Sequence, residues 1–399
     1  MLRSRVATLF VLTLLAGGLV TRAAAQQAPW PTEGWSVSSP AAQGLDSMPF
    51  VELVRGVEDG TFGNIDRLVV IRNGYLVVNE RWENDYRTLS RGSSSALGCG
   101  WETCADPDDV HQYNYYFPDH HPYYMDRDVH SLQSVTKSVT SILIGIAIMR
   151  GEISGADALL LSFFEDYDLS DVDDRLSQAT LEDLLTMRSG IEWHEDRPFD
   201  STNTTLQLEW SDDWIQFTLD QPTDADPGEK WAYNSGGSHL MSGIIKHSTG
   251  KYVDEYAESY LFGPLGIPDY HWKQTPTRYP DTEGGLYLEA EQLAKIGYLY
   301  LNGGVWDGER IVTEEWVEAS TARHADPVNQ AGWGYGYQWW RLDRDGTEVW
   351  AGLGFGGQFL LVMPEHQLIG VANSWNLFGR VDQSILRGLM EAMLAAVGG

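Results

Sequence analysis

Positive charge is scarce in this 399-residue chain. Lys and Arg total 27 against 57 Asp and Glu, a net charge of −30, and only six of the 27 are lysine. That balance argues against nucleic acid and an anionic membrane surface as partners, since both need a basic patch. The lysine-poor, acid-rich balance has two readings, a saline habitat or an ordinary acidic extracellular protein. Cysteine is nearly absent, with two residues, Cys99 and Cys104. Two thiols do not make a structural zinc site. Past residue 20 no apolar run reaches the ~18 residues of a membrane span. No nucleotide loop, haem motif or redox pair is present, so no cofactor is expected. The spacing of Asp106, Asp108, Asp109, His120 and His121 fits neither a calcium loop nor a paired-histidine zinc site, and no metal is expected. What remains is 43% hydrophobic and 12% aromatic, the composition of a globular chain rather than an acidic tail.

The first residues read as a targeting segment. Arg3 and Arg5 precede an apolar run from Val6 to Val20, and Ala23-Ala24-Ala25 offers small residues for cleavage after Ala25. That is a secretory signal peptide, with an uncleaved anchor as the alternative. Its removal takes three arginines and no acid, moving the charge from −30 to −33. The expected location is therefore the periplasm or the extracellular space, with no membrane span after cleavage. In an oxidising compartment Cys99 and Cys104 form a small-loop disulfide, or else remain free thiols.

Residues 26–44 read as a Pro- and Ser-rich linker and 45–399 as one domain, with a helical region over about 150–280. A helix is expected near Ser47–Val57. Leu68–Ile71 and Tyr75–Val78 flank an Asn-Gly pair, a hairpin signal. Residues 84–127 read as an irregular acidic insertion. Ser134–Met149 is apolar around most of its circumference, a buried helix. Helical patterns recur at Leu181–Met187 and Val253–Leu261. Strands are expected at Tyr335–Leu342, Glu348–Ala351, Gln358–Met363 and Leu368–Asn373, and a closing helix at Gln383–Ala396. Strands early and late with helices between predict an α+β fold: an antiparallel β-sheet built from both chain ends, flanked by helices, with an all-α region inserted.

Three stretches carry the chemistry. Ser134-Val135-Thr136-Lys137 opens the buried helix, and i, i+3 spacing puts the hydroxyl and the amine on one face. Serine is a poor nucleophile unless its proton is taken, which a desolvated lysine of lowered pKa can do. Tyr233-Asn234-Ser235 lies in a polar, glycine-rich loop before an apolar helix, where a phenol can join a proton path. Gly352–Gln358 carries glycines that allow a close backbone approach and an oxyanion site.

In this order the three resemble the serine β-lactamase-like family: class C β-lactamases, D-Ala-D-Ala carboxypeptidases, carboxylesterases and 6-aminohexanoate-oligomer hydrolases. The stretches HSLQSVTKSVTSILIGIAI, LEDLLTMRSG, GGLYLEAEQLAKIGYLYLNGG and YQWW are similar to others of that family, over roughly residues 45–397. The resemblance implies a β-lactamase/transpeptidase-like fold and an acyl-enzyme. Ser134 would be the acylated nucleophile, Lys137 and Tyr233 its proton handlers, and the backbone N–H groups of Ser134 and Gln358 the oxyanion donors. Asn234, Ser235, Phe355, Gly356 and Gly357 would line the substrate site.

Two departures bear on the substrate. Where relatives carry Lys-Thr-Gly or His-x-Gly, the match is Phe355-Gly356-Gly357, with no cation for a carboxylate. Where they carry Tyr-x-Asn, Ser235 replaces the Asn. Both favour a neutral ester or linear amide as the small-molecule substrate, over a β-lactamase or D-Ala-D-Ala carboxypeptidase role. A catalytically silent binding protein on the same fold is the remaining alternative. Gly92-Ser93-Ser94-Ser95-Ala96 lacks the final glycine of a Ser-His-Asp elbow. Trp193, Trp339 and Trp375 are candidates for an acyl pocket or for plain core packing. Oligomeric state is not legible.

Overall fold

The computed structural model describes residues 28–84, 89, 128–196, 201–327, 332–344, 346–376 and 383–398. The segment read as a signal peptide, Cys99, Cys104 and the acidic insertion with its Asp and His residues lie outside them, apart from Asn84 and Leu89.

Asn73 and Gly74 both take positive φ, 52° and 79°. That primed turn matches the twist of the strands it joins, β2 (Ile65–Arg72) and β3 (Tyr75–Arg81). Before them come β1 (Ser36–Val37) and helix α1 (Met48–Glu58). After them come β4 (His130–Ser131), β5 (His271–Trp272), β6 (Leu286–Leu288), β7 (Val305–Trp306), β8 (Glu309–Arg310), β9 (Trp333–Tyr335), β10 (Trp340–Arg344), β11 (Thr347–Gly354), β12 (Gln358–Met363) and β13 (Leu368–Ser374).

The described residues build an eight-stranded sheet in the order β1-β3-β2-β13-β12-β11-β10-β9. Strands from the two chain ends meet at β2 and β13, where Val70 faces Gly370. Every pairing is antiparallel except β1 with β3. Ser36–Val37, within the stretch expected as a linker, is thus an edge strand.

Alternate side chains of the sheet serve two layers. Leu68, Val70, Phe359, Leu361 and Leu368 pack with Phe50 and Leu53 of α1 and with Leu389 and Met393 of the closing helix Ser384–Val397. Val69, Ile71, Leu360, Val362 and Ile369 pack on the other side with α2 (Val135–Met149) and the helix Ala290–Leu301. Each fully buried aliphatic side chain contributes roughly 1.5–3 kcal/mol, and α2 is buried on nearly every face.

Between residues 181 and 257 the described regular elements are all helices, among them α3 (Leu181–Leu185) and α4 (Ser235–Thr249), joined by long loops. The helix expected over Leu181–Met187 stops early because Met187 turns left-handed, φ 60°. The run expected as one strand, Tyr335–Leu342, is split between β9 and β10. Gln338 has φ 62° there, and its amide reaches the Leu184 and Leu185 carbonyls at 3.3 and 3.0 Å. A short sheet, β4-β6-β5, sits at the head of α2.

Candidate active site

The chain reaches Ser134 through a strained residue. Gln133 has φ 49°, a left-handed conformation that costs a non-glycine residue about 1–3 kcal/mol. Its amide donates to Ser131 Oγ at 3.0 Å. Ser134 then stands at the N-cap position of α2, partly exposed, with its hydroxyl not used to cap the helix. The N–H groups of Val135, Thr136 and Lys137 bond to the carbonyls three residues back, a tight first turn.

One turn on, Lys137 is 1% exposed. Its ammonium donates to Ser134 Oγ at 2.9 Å, to the Glu283 carbonyl at 2.7 Å and to Glu283 Oε2 at 3.3 Å. Three donors meet three acceptors. Burial alone would depress this amine, as the sequence reading expected. The acidic groups of Tyr233, Glu283, Glu195 and Asp281 outweigh it and hold Lys137 above its ordinary 10.5. The lowered pKa is thereby corrected: the resting side chain is an ammonium.

Tyr233 shares a hydrogen bond with Ser134, and its ring centroid is 5.1 Å from Lys137 Nζ. Burial raises its phenol, against the pull of Lys137 and the Ser134 bond. The ring stacks on Trp340, centroids 5.9 Å apart, with Tyr335 edge-on to it. This aromatic wall fixes the phenol beside the serine.

Glu283 is placed by its loop. Asp281 Oδ1 accepts from the N–H groups of Glu283 and Gly284 at 2.9 and 3.1 Å. Thr282 bonds the Ser238 carbonyl on α4 at 2.9 Å, and the N–H of Leu286 reaches Thr136 on α2 at 3.2 Å. The loop is therefore tied to both helices of the site. Burial, then Asp281, push the Glu283 carboxyl up to about 7, with Lys137 opposing. Burial also raises Glu195, Glu209 and Asp281, and lowers Lys273 to about 7.

The remaining expected residues divide. Asn234 is buried and caps α4 through Oδ1 to the Gly237 N–H at 2.6 Å. Ser235 is 2% exposed and bound to Glu195. Trp193 donates to Glu195 Oε2 at 2.7 Å, at the margin of the site. Trp339 stacks on Tyr300, and Trp375 packs tilted against His130; both are fully buried core residues.

The glycine-rich segment sits differently from the reading that matched Phe355-Gly356-Gly357. A side chain at Gly352 would meet Val135 Cγ1 at 2.8 Å, and one at Gly354 would strike the Leu132 carbonyl. Strand β11 thus lies against the head of α2 through Gly352 and Gly354. Gly356 and Gly357 instead turn toward Ser374, with φ 76° and 96°. The Gln358 amide is fully buried and bonds the Ser374 carbonyl at 2.6 Å. The segment Gly352–Gln358 carries no cationic side chain.

Sequence reasoning missed Glu283, Glu195 and Gln338. Glu283 precedes the Gly284–Gly304 stretch by one residue, and Gln338 stands inside YQWW. An acid beside a glycine pair was the available signal for Glu283.

The family model described as Beta-lactamase matches residues 109–386. The 6-aminohexanoate-dimer hydrolase of Paenarthrobacter ureafaciens is 25% identical over 269 residues, 62% of this chain and 67% of that protein. A Bacillus anthracis structure, provisionally assigned as a 6-aminohexanoate-dimer hydrolase, superposes with TM-score 0.64 at 18% identity, covering 85% of this chain and 80% of that one. A penicillin-binding protein from Bacillus halodurans gives TM-score 0.60 at 16% identity, covering 86% and 99%. The two structures bear on the fold alone.

Proposed function

The chain belongs to the Beta-lactamase family of serine hydrolases, and on that premise we propose that it forms an acyl-enzyme on Ser134 and hydrolyses neutral esters or linear amides. Its fold is β-lactamase/transpeptidase-like, a large, mostly antiparallel sheet flanked by helices. The observation that carries the reading is the contact of Ser134 Oγ with Lys137 Nζ at 2.9 Å, beneath a partly exposed hydroxyl that also bonds Tyr233.

Ser134 Oγ attacks the acyl carbon while its proton passes to Lys137, which must first have given up a proton and stand as the free amine. The carbonyl oxygen becomes an oxyanion facing the N–H of Ser134 and, in place of the Gln358 N–H expected from the sequence, that of Phe355, which follows Gly354 on the strand against α2, whereas Gln358 begins the next strand. The bond to the leaving group breaks as that group takes a proton through Tyr233. Water then releases the acid by the same route. A neutral substrate fits the lack of a cation on Gly352–Gln358 and the charge of −30. The 6-aminohexanoate-dimer hydrolase relative supports a linear amide. We also propose that the chain is exported by its N-terminal segment. No helix of the described residues is long and apolar enough to cross a membrane.

The test is turnover of p-nitrophenyl esters and linear amides beside nitrocefin, with fluorophosphonate labelling of wild type and Ser134→Ala. Label on Ser134 and ester or amide turnover, both lost in the variant, are expected. Fast nitrocefin hydrolysis without ester or amide turnover sinks the substrate class, and labelling that survives Ser134→Ala sinks the nucleophile.

A further inference from the structure

A resting Lys137 ammonium cannot accept the Ser134 proton until it has given one up. The group in place to take it is Glu283. Its Oε2 lies 3.3 Å from Lys137 Nζ, on the nitrogen that is 2.9 Å from Ser134 Oγ. The Glu283 side chain is 7% exposed, so its charge is poorly solvated from outside. Its loop is pinned to α2 and α4, so it stays in reach.

We propose that Glu283 is the proton partner of Lys137: the buried pair shares one proton, and its transfer from ammonium to carboxylate frees the amine that deprotonates Ser134. The inference rests on Ser134 being the nucleophile. Glu283 acts through Lys137 and is a positioning residue in that sense.

The protons balance. The pair starts as ammonium and carboxylate and becomes amine and carboxylic acid. The amine takes the Ser134 proton as the oxygen bonds the acyl carbon, then gives it to the leaving group through Tyr233. In deacylation it takes a proton from water and returns it to Ser134. Glu283 then hands its proton back to Lys137. The charged pair is the resting form, and the cost of burying two charges narrows the gap that the proton crosses from ammonium to carboxylate.

The titration of Glu283 is set by the groups facing it: Asp281 on its own loop, Lys137 on α2, Tyr233 before α4, Glu195 and Glu209 from the helical region, and Lys273 at β5. With the carboxyl up at about 7, a second proton enters the pair below neutral pH and blocks the amine.

The test is the pH profile of kcat/KM for an ester, with the fluorophosphonate labelling rate of Ser134, in wild type, Glu283→Gln and Glu283→Asp. In wild type both rates are expected to fall about tenfold per pH unit below about pH 7. In Glu283→Gln, Lys137 must lose its proton to solvent against Tyr233, Glu195 and Asp281. The limb moves up by about one pH unit or more, and kcat/KM at pH 7 falls about tenfold or more. Glu283→Asp keeps the limb near neutrality. A wild-type profile flat between about pH 5 and 9 overturns the proposal, and needs no variant to fold. So does a Glu283→Gln profile that matches wild type, or one lowered uniformly with its limb unmoved. Absence of label on Ser134 in wild type is a different result, and it removes the nucleophile itself.

Discussion

Ser235 gives both its backbone N–H and its hydroxyl to the Glu195 carboxylate, at 3.0 and 3.1 Å. Trp193 Nε1 and Thr205 Oγ1 complete the shell, each at 2.7 Å. Glu195 thus clamps the start of α4, and with it the loop that carries Tyr233. Ser235 is held by the fold rather than free for a substrate amide. Removing the carboxylate takes the acceptor from the Ser235 N–H and the Thr205 hydroxyl, while Trp193 Nε1 keeps Thr205 Oγ1 at 3.1 Å and the Ser235 hydroxyl keeps Glu283; each buried unsatisfied donor costs about 1–3 kcal/mol. Glu195→Ala is expected to lose about 2 kcal/mol or more in urea unfolding, together with most ester turnover. Glu195→Gln, which keeps an acceptor oxygen, is expected to lose less. Equal stability of Glu195→Ala and wild type would show that the clamp carries no load.

Lys137 and Tyr233 handle one proton path and should fail in different ways. Lys137→Met matches the volume but leaves Glu283 buried without its cation. Activity is expected to fall about 10³-fold or more, with stability lost as well. Tyr233→Phe keeps the stack on Trp340 and removes only the hydroxyl. Its kcat is expected to fall about 10²- to 10⁴-fold at nearly constant KM. Steady-state kinetics on an ester separates the cases. A Tyr233→Phe enzyme within about twofold of wild-type kcat would take the phenol out of the proton path.

Gly354 stands where a methyl group would strike the Leu132 carbonyl and press on Gln133 Cβ at 3.2 Å. Those residues lead directly into Ser134. Gly354→Ala is expected to push β11 off the head of α2, costing about 1–3 kcal/mol and most acylation. Gly346 has open space around it but a positive φ of 84°. Gly346→Ala should cost only its backbone strain and spare the labelling rate. Comparable labelling by wild type and Gly354→Ala would contradict the close approach of β11.

Much of this fold was legible because its signals are local. The Asn73-Gly74 turn, the apolar circumference of Val135–Met149 and the β-rich runs near the C-terminus each follow from nearest-neighbour chemistry. Ser134 and Lys137 were legible because i, i+3 spacing on a helix fixes their approach. Glu283 was not, since it comes from a loop 146 residues further along the chain, and no spacing encodes that meeting. The same gap explains Lys137: its charge depends on acids from Glu195 to Glu283, distant in sequence and joined only by the fold. The glycine segment was misplaced by three residues, because which glycine faces α2 depends on the register Gly354 to Gln358 across the β11–β12 turn.

Glu283 also makes stability depend on pH. Its folded-state carboxyl lies at about 7, above the usual 4.5, so folding favours the protonated form. The contribution is full below about pH 4 and is lost as pH rises through about 7, where a charge must be held in the interior. A 2.5-unit rise would be worth at most about 3 kcal/mol, and shared interactions with Asp281 and Lys137 bring the expected effect to roughly 1–3 kcal/mol. Glu283→Gln removes the titration and keeps the shape. The variant is therefore expected to gain on wild type as pH rises, unfolding later at about pH 8.5 and with little difference at about pH 4.5. Thermal unfolding at both values checks it. A variant less stable than wild type at the higher pH would mean that the ion pair with Lys137 outweighs the burial of the carboxylate, so that the acid is kept for stability as much as for its proton.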